Sequence, residues 1–104
     1  MSLDQLAELL NGKCKGKIIH FGSCSTLDKH GRTLNAFLRR TGALALLGYR
    51  GTTDWLDSAA FEILLLGEIQ RRSLTRPGMR AVERDVKKAA PGLTKRLGFR
   101  MVIA

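Results

Sequence analysis

Apolar positions recur along the chain with two different periods, and those periods divide it into seven segments. Leu3, Leu6, Leu9 and Leu10 keep helical spacing, and Ser2-Leu3-Asp4-Gln5 before them fits a capping box. Asn11-Gly12 supplies a left-handed stop. Lys17-Ile18-Ile19-His20-Phe21 is apolar on both faces, as a strand inside a parallel sheet would be. Gly22-Ser23-Cys24-Ser25-Thr26 ends it. Residues 31–41 predict a second helix, with Leu34, Phe37 and Leu38 inward, Arg39 and Arg40 outward and Gly42 at its end.

Ala43 to Tyr49 forms the next apolar strand, and Gly48 and Gly51 mark its end. Thr53 or Asp54 then caps a long helix to about Arg72. That helix is apolar around most of its circumference, so deep burial is expected. Arg76-Pro77-Gly78 breaks the chain, with Pro77 suited to the first turn of a further helix. Met79, Val82, Val86 and Ala89 face inward there, and Pro91-Gly92 stops it. Phe99 to Ile103 reads as a last strand.

Strands alternating with helices imply one α/β domain over residues 1–104. The expected architecture is a small three-layer sandwich with a mostly parallel three-stranded sheet and crossover helices, the last strand free to run antiparallel. In open sheets of this kind, sites form at the carboxyl ends of strands. Two loops qualify: Gly22 to Thr26, and Tyr49 to Asp54.

Composition narrows the chemistry. No apolar run approaches the roughly 18–20 residues that cross a bilayer, and the start lacks a signal-peptide pattern, so the expectation is a cytoplasmic protein without membrane contact. Cys14 and Cys24 have no metal-ligand spacing, and the two histidines do not complete a zinc site; no metal and no cofactor is expected. The net charge is +9 and unevenly spread. Residues 1–70 hold eight Lys/Arg against seven Asp/Glu, whereas residues 71–104 hold ten against two. Arg72, Arg76, Arg80, Arg84 and Lys88 stand out, the last four at four-residue spacing that puts them on one helix face. This is either a solvated face or a nucleic-acid-binding or interaction surface.

Cys24, with Gly22 and Ser23 as oxyanion-side loop residues, is the one candidate nucleophile. Ile18-Ile19-His20-Phe21 leading into Gly22-Ser23-Cys24 resembles the nucleophile block of caspase-like cysteine peptidases. The helix from Leu34 to Arg40, the Thr41-Gly42-Ala43 turn, the apolar strand and the Trp55 loop follow in the order seen in the carboxyl half of a CHAT domain, a bacterial relative of caspases and separase. The resemblance covers about residues 16–72. It implies acyl transfer through Cys24 on a peptide or protein substrate, held near Arg50 and Asp54. The family's upstream His-Gly block has no counterpart. His20 lies about 13 Å before Cys24 along the strand and reads as a satisfied core residue, and His30 lies on the wrong side of the pattern. The resemblance therefore implies a nucleophile-bearing half, inactive alone. Residues 17–23 would then form an open apolar edge, covered by a homodimer partner, by another chain supplying the missing half, or by the N-terminal helix.

Overall fold

The computed structural model describes residues 2–22, 27, 29–51 and 54–104. Three strands form one sheet: β1 (Ile18–His20), β2 (Ala45–Tyr49) and β3 (Phe99–Ile103), in the order β1-β2-β3. β1 runs parallel to β2, with Ile18 opposite Ala45 and His20 opposite Leu47. β3 runs antiparallel to β2, with Ala45 opposite Ile103 and Tyr49 opposite Phe99. The sheet is thus evenly mixed, and the last strand takes the antiparallel option. β2 is buried along its whole length because it has a strand on each side and helices on both faces.

The pleat divides β2 between two cores. Ala45, Leu47 and Tyr49 face one side with Phe99 and Met101 of β3. Helices α3 (Trp55–Gln70), α4 (Arg76–Ala89) and α5 (Pro91–Leu97) cover that side with Phe61, Leu65, Met79, Val82, Val86 and Leu97. Leu46 faces the other side, where α1 (Leu3–Leu9) and α2 (Gly31–Thr41) contribute Ala7, Leu34, Phe37 and Leu38. The result is three layers.

Local signals explain the boundaries. The Ser2 hydroxyl accepts from the Gln5 N–H, and the Gln5 side chain accepts from the Ser2 N–H, closing the capping box. Gly42 ends α2 at φ 79°, in the left-handed region. Thr41 before it is buried, donating to the Phe37 carbonyl at 3.0 Å and accepting from the Ala43 N–H. Gly48 has a packing reason: a Cβ there would stand 3.0 Å from Leu27 Cγ and 3.2 Å from the Phe21 carbonyl. Its bareness lets Leu27 lie fully buried over β2, where the Leu27 N–H donates to the Tyr49 carbonyl.

Three expectations change. α4 ends at Ala89, before Pro91 as expected, but Pro91 also opens a helix that was not expected, occupying the first turn of α5, where its missing N–H has no partner to lose. Ala89 is exposed instead of facing inward. α3 is not deeply buried either, since Phe61 and Leu65 are its only fully buried residues. A three-stranded sheet, with α4 and α5 on one flank, covers one side of α3 and no more. No helix among the described residues is long and apolar enough to cross a membrane.

Candidate functional site

Two places gather polar side chains, one at the carboxyl ends of the parallel strands and one on α4. At the first, β1 delivers His20, β2 delivers Tyr49 and α3 delivers Glu62. The Tyr49 hydroxyl donates to Glu62 Oε1 at 3.1 Å, and His20 Nε2 lies 3.7 Å from the same oxygen. The His20 and Tyr49 rings meet edge to face at 6.0 Å. Burial, the nearby Glu62 charge and the hydrogen bond to it all push the Tyr49 pKa well above the ordinary tyrosine value. Tyr49 is therefore a fixed donor, not a base. The cluster ties β1, β2 and α3 together where open α/β sheets hold their sites.

His20 is thus not a core residue: it sits exposed on an edge strand, beside a carboxylate. The Glu62 side was missed in the sequence. Its signal was a lone carboxylate inside the apolar run from Ala59 to Gly67, since such a charge calls for a partner.

Gly22 adjoins this cluster, and a side chain there would stand 3.8 Å from Glu62 Oε1. Cys24 and Ser23 lie outside the described residues, as does Thr53. Arg50 and Asp54 have backbone duties: the Arg50 N–H donates to the Gly98 carbonyl at 2.8 Å, and the Asp54 carboxylate accepts from the Leu56 N–H at 2.8 Å as the cap of α3. Arg100 was also missed. Its guanidinium donates to the Leu27 and Lys29 carbonyls at 3.0 and 2.7 Å, clamping that loop to β3. Among the described residues no group of three His, Cys, Asp or Glu side chains could hold a metal ion.

Arg76, Arg80, Arg84, Lys87 and Lys88 are all exposed on α4. Asp85 takes up Arg84 at 3.2 Å and also pairs with Arg72, while Glu83 takes up Lys87 at 3.3 Å. Partial desolvation works against the Asp85 anion, but hydrogen bonds and charge from the two arginines hold its carboxyl below the usual range. Arg76, Arg80 and Lys88 have no carboxylate partner among the described residues. The fold adds one residue that spacing could not: Arg39 of α2 and Arg76 of α4 border the same depression beside the end of β3. Asn35 and Ala104 also line it, and its volume is about 340 Å³.

These layers and this strand order define a small three-layer α/β domain with a mixed sheet. The chain belongs to a family described as a family of unknown function (DUF6642), whose model matches residues 1–103. No curated protein and no solved structure matches it. The resemblance to a CHAT or caspase-like domain is overturned by this family match, which spans the whole of residues 16–72 and points to neither. The motif behind that resemblance is short, and its residues have an ordinary explanation: Ile18 packs on one core, Ile19 and Phe21 on the other, and Gly22 lies beside Glu62.

Proposed function

We propose that this domain is a nucleic-acid-binding module that holds phosphates along α4. The observation that carries this reading is the convergence of Arg39 and Arg76, from helices on opposite faces of the sheet, on one depression at the head of the basic row. A row made only by helical periodicity is ordinary solvated surface. An arginine from a second layer, placed beside it, extends the positive field around the sheet edge.

From Arg76 to Lys88 the row runs about 18 Å along the helix, roughly five phosphate intervals on one strand. Asp85 and Glu83 neutralise part of it, so Arg76, Arg80, Lys88 and Arg39 carry the phosphate contacts. Binding of this kind is sequence-independent and falls steeply with salt, because each neutralised phosphate releases counterions.

The test is fluorescence anisotropy with a short labelled duplex across a salt series. Binding at about 50 mM salt is expected, with a log–log slope that shrinks by about 2 when Arg76→Ala and Arg80→Ala are combined. No binding by the unaltered chain at that salt overturns the reading.

A further inference from the structure

The side of α3 turned away from α4 and α5 is apolar and uncovered, with Glu62 at its border with β1. Trp55 is 77% exposed, Ile63 75%, Leu56 62% and Leu66 55%. With an aromatic side chain carrying about 150–250 Å², the four present on the order of 500 Å². That is the size of the largest patch on a typical monomer, about 300–600 Å², and patches of that size often serve a function. The direction of this face is fixed by two contacts. Asp57 reaches Arg96 of α5 on one flank, and Glu62 reaches His20 of β1 on the other. Trp55, Ala59 and Leu66 share the Glu62 row at helical spacing, and Ile63 lies beside it. The apolar face therefore looks over β1.

β1 itself pairs only with β2 among the described residues. Lys17 accepts from the Leu44 N–H and the Phe21 N–H donates to Leu47, so the odd positions face β2. The alternation turns the backbone N–H and C=O groups of Ile18 and His20 outward. An unpaired strand edge and an uncovered helix face thus lie on the same side of the molecule.

We infer that a second copy of this chain covers both, giving a two-fold dimer with a continuous six-stranded sheet. β1 pairs antiparallel with its counterpart: Ile18 exchanges backbone hydrogen bonds with the partner's His20, and the reverse holds across the axis. α3 spans β1 and β2, touching His20 and Tyr49 through Glu62. With strands about 4.8 Å apart, the two α3 axes then stand about 10–14 Å from each other. Packed helices lie at 8–10 Å, and the large side chains of Trp55, Ile63 and Leu66 fill the remainder. With the strand edge added, the buried area approaches the roughly 800 Å² per partner of a stable interface.

Charge favours a second copy at this place. Asp57 and Glu68 are paired within the chain, with Arg96 and Arg71. The Glu62 carboxylate is held by the neutral Tyr49 hydroxyl, and Lys17 beside β1 has no carboxylate partner among the described residues. Each copy therefore brings both signs to the seam, and an antiparallel partner sets them against one another. The basic residues of α4, which packs on β3, stay at the two outer flanks.

The inference stands apart from the nucleic-acid reading, and sedimentation velocity on the full chain tests it. A dimer is expected between about 1 and 100 µM. Ile63→Asp, at an exposed position, is expected to keep the native circular dichroism and weaken the dimer about 30-fold or more. Ile18→Pro removes only an outward donor and is expected to do the same. A monomer up to about 100 µM, or a dimer that survives Ile63→Asp, overturns the proposal. A dimer lost with Ile63→Asp but untouched by Ile18→Pro overturns the shared sheet. Should Ile18→Pro fail to fold, amide exchange decides instead: protection at Ile18 and His20 must rise with protein concentration. Short-duplex affinity per chain is expected to stay unchanged in Ile63→Asp, which separates failure here from failure of the phosphate-binding reading.

Discussion

α3 and α4 pack side by side over the same face of the sheet, yet they turn opposite chemistry outward. α4 buries Met79, Val82 and Val86 and shows solvent a basic row. α3 buries Phe61 and Leu65 and shows solvent Trp55, Leu56, Ile63 and Leu66. α4 is amphipathic in the ordinary sense, its apolar stripe as wide as the surface available to it. α3 has apolar residues for two contacts and meets only one. Where a helix is apolar all round, the number of layers around it decides which residues are core, and periodicity does not contain that number.

The largest effect that would sharpen this contrast lies within α3. Phe61 packs against Tyr49 and Phe99, with ring centroids 6.3 and 4.8 Å away. Phe61→Ala is expected to lose about 3–5 kcal/mol in urea unfolding. Ile63→Asn, measured on dilute monomer, is expected to change stability by no more than about 0.5 kcal/mol. Comparable losses at the two positions would erase the distinction between the inner and outer sides of the helix.

A smaller effect concerns how α4 is held. Its cap is the Thr75 hydroxyl, which accepts from the Gly78 N–H at 3.1 Å. Thr75→Ala is expected to remove about 1 kcal/mol and to fray the turn carrying Arg76. Duplex affinity should therefore drop alongside stability. Loss of stability with unchanged affinity would place phosphate binding elsewhere.

The smallest effect follows from pH. Tyr49 holds its proton more tightly in the folded chain than in the unfolded one, because of burial and Glu62. Its contribution is complete below about pH 10, the ordinary tyrosine value, and is lost as pH rises beyond it. The bond that loosens joins α3 to the sheet, whereas α4 has no such link among the described residues. Stability should thus decline above about pH 10, and Tyr49→Phe should flatten that decline; an unaltered slope in a urea titration would count against it.

Much of this was legible from the sequence, for identifiable reasons. α2 and α4 have clean helical periods, with Gly42 closing the first and Pro77 in the first turn of the second, and Phe99 to Ile103 reads as a strand. α5 was not legible because Pro91-Gly92 resembles a stop, although proline serves equally well as a first turn. The His20, Tyr49 and Glu62 cluster and the Arg39–Arg76 convergence are tertiary, made by residues from separate elements that no spacing rule connects. The apparent nucleophile block failed for a related reason. An apolar strand followed by glycine is what any buried parallel strand looks like as it leaves its sheet, so the motif carried less information than its chemistry suggested.

The clamp from Arg100 reaches back 71 and 73 residues, to Lys29 and Leu27, from the strand that also completes the pairing of β2. β3 follows every other element in chain order, so until residues 99–103 have been synthesised the central strand has one bare side and the Leu27 loop has no anchor. The contacts that close the sheet are therefore long-range ones. A chain cut short after α5 leaves one side of β2 as a bare apolar edge and is expected to aggregate more readily than the full chain, which light scattering on the two checks.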